Sequence, residues 1–103
     1  MEQVSYDPFT IHDTVHTNAY NHVKNTRKGG DIEEIDAVSD FYIYKIDWSA
    51  DKIDWHVDNS TYFTFENEMK GKDEWPFGRE FHLILNIAVG GTWGGSKGVD
   101  PDI

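Results

Sequence analysis

The stretch Lys52–Glu66, with the sequence KIDWHVDNSTYFTFE, shows the clearest structural pattern of this 103-residue chain. Hydrophobic residues alternate with polar ones on both sides of Asp58-Asn59-Ser60, a short cluster of turn-forming residues. Alternation with a period of two is typical of strands that bury one face, and a turn cluster between two such runs is typical of a hairpin. The stretch therefore predicts a β-hairpin with one face on a core.

Strand patterns continue on both sides of this hairpin. Upstream, a second apolar face is predicted for Tyr42, Tyr44, Ile46 and Trp48. Downstream, residues 81–89 (FHLILNIAV) are apolar on both faces, which is typical of a central strand that is covered on both sides. Residues 10–20 place hydrogen-bonding side chains on one face of a further strand. Residues 31–38 fit either a helical turn or another strand.

Helical periodicity is weak throughout, so the patterns together predict an all-β fold, a sandwich with one polar and aromatic face. The chain carries 19 Asp and Glu residues against 9 Lys and Arg, a net charge of −10. This balance argues against nucleic-acid and anionic-membrane partners, because both are bound by clustered basic residues. The absence of cysteine excludes disulfides and thiolate chemistry. An aromatic content of 15% indicates that this acidic chain folds.

Metal and nucleophile chemistry find little support in the residues. His12 and His16 have the spacing of a helical zinc pair, but on a strand they would lie about 13 Å apart, too far for one ion. The aspartates near the hairpin do not match the ligand spacing of a calcium loop. No serine lies in the Gly-x-Ser-x-Gly pattern of a nucleophile elbow. We therefore predict no metal site.

A strand face of His, Asn and Tyr beside loops with Trp suits carbohydrate, whose rings offer flat C–H faces and a rim of hydroxyls. Trp48 and Trp55 complete apolar alternations, so both are predicted in the core. Trp93 lies among four glycines, where a backbone leaves room for a ligand, and is predicted to contact one. Trp75 is predicted to anchor its loop on the sheet.

Several motifs occur in order along nearly the whole chain. They are IHxTVHT at residues 11–17, the hairpin beginning at Trp48, EWPF at residues 74–77 and LILNIAVGGxW at residues 83–93. Together they resemble glycoside hydrolase family 16, in particular its laminarinase-type endo-β-1,3-glucanases. The resemblance implies a concanavalin-like β-jelly-roll sandwich with an open glycan cleft. It also implies retaining hydrolysis of a β-1,3- or mixed-linkage β-glucan by the intact enzyme.

The resemblance extends to individual residues. The family's catalytic strand reads Glu-x-Asp-x-x-Glu, and Met1-Glu2 is similar to its last two positions, which makes Glu2 the general acid/base. On this alignment the nucleophile and the Asp would precede Met1, so the chain alone is expected to be inactive. The resemblance also implies substrate-binding roles for His16, Asn18, Tyr20, Asn86 and Trp93. Asp13 stands where relatives often have Gly.

The remaining expectations concern the whole protein. Residues 1–103 are expected to form part of one family 16 catalytic domain that is incomplete at both ends. No cofactor is expected; the family's structural calcium ion draws on terminal segments of the intact domain. The expected partner is a β-glucan, and the expected state is a monomer. The intact protein would be secreted or periplasmic, although this chain shows no signal peptide. The alternative is a non-catalytic β-glucan-binding β-sandwich.

Overall fold

The computed structural model describes residues 1–102, and all of its regular structure is β-strand. The all-β prediction is therefore confirmed. Two antiparallel sheets of three strands each form the fold, in the orders β1-β2-β3 and β4-β5-β6. The strands are β1 (Glu2–Val4), β2 (Asp7–Val15), β3 (Lys28–Ile32), β4 (Tyr44–Trp48), β5 (Lys52–Val57) and β6 (Ser60–Glu66).

The predicted hairpin is confirmed as β5 and β6. Trp55 lies opposite Phe63, and the ladder ends at the pair Val57 and Ser60. Asp58 adopts a left-handed backbone (φ 52°), a conformation that Asp tolerates better than most residues. Its carboxylate and backbone also bond to the backbone of Ile43 at 2.8 Å, so the turn is fixed to the start of β4.

Strand β2 is central in the first sheet and alternates in burial. Ile11, Asp13 and Val15 are buried toward the second sheet, whereas His12 and Thr14 lie on the opposite face. The strand predicted over residues 10–20 ends earlier in the structure, at Val15, because the chain turns there. In that turn the backbone N–H of Thr17 donates to the carbonyl of Tyr20 at 3.0 Å.

The core forms where the two sheets meet. Its buried members are Val15, Ile53, Trp55, Phe65 and Trp75. Trp75 stacks on Phe65 with ring centroids 5.5 Å apart, which confirms its predicted role as a loop anchor. The sheets lie close together at Gly30, where an added Cβ would lie 2.9 Å from the Cβ of Phe63.

The prediction of a covered central strand over residues 81–89 is wrong for the described chain. This segment has no ladder partner among residues 1–102. Its apolar side chains are largely exposed, from 55% at Phe81 to 97% at Ile87. A strand exists only with a neighbour to accept and donate its backbone hydrogen bonds, and apolar composition does not supply that neighbour.

The core prediction holds for Trp55, which is 5% exposed, but not for Trp48, which is 46% exposed. Trp48 lies on β4, an edge strand that pairs with β5 alone. Its indole N–H donates to the carbonyl of Phe77 at 3.1 Å, and its ring meets Phe81 edge-on. Alternation thus identified the correct face of β4, but within residues 1–102 no second layer covers that face.

Among the described residues, no helix has the length and apolarity needed to cross a membrane.

Candidate functional site

A row of polar side chains crosses the first sheet at its open face. Glu2 on β1 lies opposite His12 on β2, and His12 lies opposite Asp31 on β3. Directly opposite residues of antiparallel strands project from the same face, with Cβ atoms about 5 Å apart. The sheet therefore lines up a carboxylate, an imidazole and a second carboxylate on the face that points away from the core.

His12 is the centre of this row. Its Nδ1 lies 2.9 Å from a carboxylate oxygen of Asp31, and its Nε2 lies 4.0 Å from one of Asp7. The bond to Asp31 orients the ring and favours the tautomer with the proton on Nδ1. Nε2 is buried without a hydrogen-bond partner among the described residues.

Trp93 covers the imidazole of His12. The two rings meet edge to face, with centroids 5.0 Å apart and planes at 84°. Gly90 and Gly91 before it have φ values of +82° and +83°, which strongly favour glycine. At Gly95 an added Cβ would lie 2.7 Å from the Gly91 carbonyl, so the turn needs glycine there as well. The indole is 43% exposed and presents an aromatic surface beside the row.

The other residues predicted to bind substrate lie further away. His16 and Asn18 are exposed just beyond the end of β2, and four strand residues separate His16 from His12 by about 13 Å. Tyr20 is half-buried: its ring packs edge-on against Phe65, and its hydroxyl donates to Glu68. Tyr20 thus packs against the core, and none of the described contacts joins these three residues to the row.

Asn86 lies in the exposed 81–89 segment. None of the described hydrogen bonds joins its side chain to the other predicted residues. Glu2 itself is exposed on β1, the edge strand of its sheet. The structure thus brings together Glu2 and Trp93 through His12, and it leaves the four other predicted residues outside that cluster.

His12 is the member of the cluster that the sequence analysis did not assign to the site. Its parity placed it on the polar face of β2, but the only role considered for it was zinc binding. The missing information was the pairing register, because His12 becomes notable only through its neighbours Glu2 and Asp31 on adjacent strands.

Asp13 occupies the opposite face of β2 and is 2% exposed. Burial raises the pKa of its carboxyl group to about 7, against the lowering effect of the Met1 amino group 3.7 Å away. The charge of Glu2 raises this pKa further. A core position of the sandwich therefore holds an acid that ionises only near neutral pH, and its side chain does not reach the open face.

Within residues 1–102, no three His, Asp or Glu side chains are arranged to hold a metal ion.

Two antiparallel sheets that pack around a common core define the class of this protein, an all-β sandwich. The sequence pattern of glycosyl hydrolases family 16 matches residues 2–102, so the chain belongs to that family. It is 50% identical to the beta-glucanase of Rhodothermus marinus, a match that covers 99% of this chain and 37% of that protein.

Solved structures agree with this assignment. The laminarinase from Rhodothermus marinus superposes with a TM-score of 0.92 at 48% identity, over 97% of this chain and 42% of that one. A non-specific endo-β-1,3(4)-glucanase of the family, crystallised with a glucan oligosaccharide at its active site, superposes with a TM-score of 0.89 at 46% identity, over 97% of this chain and 39% of that one. The fold is therefore the jelly-roll sandwich of the family, and the chain spans about two-fifths of these relatives.

Proposed function

We propose that this chain carries the acid/base side of a retaining β-glucan hydrolase cleft. The observation that carries the proposal is the cluster of Glu2, His12 and Trp93 on the open face of the first sheet. Solved relatives of the family include a laminarinase and an endo-β-1,3(4)-glucanase with a glucan oligosaccharide at its active site. The proposed substrate is therefore a β-1,3- or mixed-linkage β-glucan.

Glu2 is the proposed general acid/base. In a retaining mechanism this carboxyl group protonates the leaving glycosidic oxygen and then removes a proton from the attacking water. Its position on an exposed edge strand leaves it accessible to a glycan. His12 lies opposite it on the next strand, and its ring is held in place by the bond to Asp31 and by Trp93.

The second carboxylate of a retaining site must lie about 5–5.5 Å from the first. Asp31 shares the face of Glu2 but lies two strands away, roughly 10 Å at ordinary strand spacing. Its carboxylate is also bonded to His12. Asp13 faces the core. We therefore propose that residues 1–102 lack the nucleophile and that the 103-residue chain alone does not hydrolyse glucan.

Trp93 is the proposed platform for a sugar ring. A pyranose can stack its C–H face on the exposed part of the indole while its hydroxyls reach the polar row. His16, Asn18 and Tyr20 remain proposed contacts for sugar units further along the strand, and Asn86 remains a proposed contact from the neighbouring segment.

The first test is hydrolysis of laminarin by the purified chain, measured as released reducing sugar. The expected result is no turnover above that of the Glu2→Gln variant, which is matched in size and lacks the acid. If the unmodified chain hydrolyses laminarin and Glu2→Gln abolishes this activity, the proposal that the nucleophile is absent is wrong.

The second test is binding of a laminari-oligosaccharide, measured by titration calorimetry. Trp93→Ala is expected to weaken binding about tenfold, equivalent to roughly 1.4 kcal/mol. Phe41→Ala is the matched control, because Phe41 is a fully exposed aromatic residue in another part of the chain. Equal effects of the two substitutions would reject Trp93 as a platform.

We also propose that the whole protein is secreted or periplasmic, because a polymeric glucan is met outside the cytoplasm. Determining the coding sequence in front of the Met1 codon tests this together with the catalytic assignment. An in-frame leader and a Glu-x-Asp strand motif are expected there. A promoter and ribosome site close to Met1 would instead favour a non-catalytic binding module.

A further inference from the structure

Arg27 lies on the open face of the first sheet, next to the row that contains His12. It immediately precedes β3, and its Nε–H donates to the hydroxyl of Thr14 at 3.1 Å. Thr14 shares the open face of β2 with His12, two positions away. The bond therefore holds the guanidinium group at a point about 7 Å along β2 from His12, which is comparable to the length of one sugar unit.

A glycine leaves room for the side chain of Arg27 in this position. Gly29 lies opposite Thr14 where β2 pairs with β3. A Cβ at Gly29 would lie 3.3 Å from Nη2 of Arg27 and 3.2 Å from the hydroxyl oxygen of Thr14. Because glycine keeps this space open, the arginine side chain can cross β3 and reach β2.

The guanidinium group of Arg27 has no carboxylate partner among residues 1–102. The carboxylate of the row on β3, Asp31, is bonded to His12 at 2.9 Å instead. The hydrogen bonds described for residues 1–102 use only the Nε–H of Arg27, and an arginine also carries donors on both Nη atoms. The side chain is exposed, so these donors are available to a ligand on the open face.

We infer that Arg27 donates hydrogen bonds to hydroxyl oxygens of a neutral β-glucan and is a further substrate-binding residue of this face. The inference rests on the proposed function, because it takes the same substrate. The donors of a guanidinium form a planar fork that matches two neighbouring acceptors, and a sugar unit offers such pairs of hydroxyl oxygens. Trp93 covers His12, and Arg27 extends the binding surface from there along β2.

The charges around Arg27 favour a neutral glycan over an acidic one. The chain has a net charge of −10, which repels polyanions. Glu2 and Asp31 lie on the same face, and Asp7 lies 4.0 Å from Nε2 of His12. One guanidinium group does not outweigh these carboxylates for an anionic chain, whereas uncharged hydroxyl groups meet no such repulsion.

The test is binding of laminarihexaose to the 103-residue chain, measured by titration calorimetry. Arg27→Ala is expected to weaken binding about fivefold, because it removes hydrogen bonds donated by a charged group. Arg79→Ala is the matched control, since it removes the same charge from an exposed arginine near Phe77 and Trp48, at the second sheet. It is expected to leave the affinity within about twofold. Equal effects of the two substitutions would overturn the inference.

Arg27→Lys separates the fork of donors from the charge. Lysine keeps the positive charge on a flexible stem but lacks the planar pair of donors, so binding is expected to weaken about threefold or more. Full affinity in Arg27→Lys would show that charge alone acts at this position, and the assignment of paired donors would be wrong.

Thr14→Val tests whether Thr14 positions Arg27. Valine keeps the shape of the side chain and removes the acceptor for Nε–H, so binding is expected to weaken about twofold. In the Arg27→Ala background the same substitution is expected to have no further effect, because a residue that acts through Arg27 loses its influence with it. An equal loss in both backgrounds would contradict this role of Thr14.

Two further outcomes distinguish this inference from the proposed function. If Trp93→Ala weakens binding of laminarihexaose and Arg27→Ala does not, the proposed glucan platform stands and the inference is wrong. If the unmodified chain does not bind laminarihexaose, both are wrong. Titration with inorganic sulfate completes the test: sulfate binding that Arg27→Ala abolishes, with glucan binding unchanged, would make Arg27 an anion site and overturn the inference.

Discussion

Strand β5 and the 81–89 segment have similar apolar alternation and opposite surroundings. In β5, Ile53, Trp55 and Val57 are 2–6% exposed, whereas Leu83 and Ile87 in the segment are 79% and 97% exposed. The segment is the more hydrophobic of the two by sequence, since both of its faces carry apolar residues. Composition therefore does not explain which of the two is buried.

The strands and layers next to each segment explain the difference in burial. β5 has a ladder partner on each side, in β4 and β6, and the first sheet packs over its apolar face. The 81–89 segment has neither partner nor cover among residues 1–102. Burial is thus a property of the pairing around a strand. The first of the following predictions tests this contrast directly, and the others compare buried with exposed positions elsewhere, from the largest expected effect to the smallest.

Trp55→Ala is expected to lower the free energy of unfolding by about 3–5 kcal/mol, because it removes a large buried ring and leaves a cavity. Leu85→Ala is expected to change it by less than about 0.5 kcal/mol, because the side chain is 86% exposed. Urea unfolding followed by circular dichroism measures both.

If Trp55→Ala does not fold, Ile53→Val provides the same contrast with an expected cost of about 0.5–1.5 kcal/mol. Equal costs for Leu85→Ala and Ile53→Val would show that the segment is buried in solution.

Asp13→Asn is expected to alter how stability depends on pH. Burial raises the pKa of Asp13 in the folded chain to about 7, above its ordinary value of 3.8, so the folded state holds a proton that the unfolded state loses. The contribution of Asp13 to stability is therefore full below pH 4 and falls as pH rises to about 7, by roughly a few kcal/mol.

The measurement is the free energy of unfolding from pH 4 to 8 for both proteins. Relative to the unmodified chain, the free energy of unfolding of Asp13→Asn should rise as the pH increases to 7. Above pH 7 the difference between the two proteins should stay constant. Exposed carboxylates such as Glu2 are present in both proteins, so their titration cancels when the two free energies are subtracted. A constant difference across the range would show that Asp13 does not titrate near neutrality.

Gly30→Ala is expected to cost about 1–3 kcal/mol, because the new Cβ would lie 2.9 Å from Phe63 between the two sheets. Gly78→Ala is the control, since nothing lies within 4 Å of a Cβ there. Thermal unfolding of both variants gives the comparison. A loss at Gly78 as large as at Gly30 would contradict the close packing of the sheets at Gly30.

Tyr20→Phe should have a small effect, below about 1 kcal/mol, because it removes one surface hydrogen bond to Glu68 and keeps the ring on Phe65. Tyr20→Ala should cost more, since it also removes the ring. Urea unfolding of the two variants separates the hydroxyl from the packing, and similar losses would show that the hydrogen bond carries the contribution.

Much of the fold follows from local pattern. The β5–β6 hairpin was predictable because alternation and turn residues act over a few positions, and the same holds for the all-β class and for the buried Trp55. Trp93 was singled out by its glycine surroundings, which are equally local. The end of β2 was harder to predict, because the polar alternation continues beyond Val15. In the structure, hydrogen bonds within Thr17–Tyr20 close a turn there.

The sequence by itself determined which face of β2, β4, β5 and β6 is apolar, where the hairpin turns and which family the chain resembles, since each depends on residue types a few positions apart. Only the tertiary structure decided that His12 lies between Glu2, Asp31 and Trp93, because pairing register joins residues that are distant in sequence. It also decided that Trp48 and residues 81–89 are exposed. A side chain is buried by the layer that faces it, and its own strand does not encode that layer.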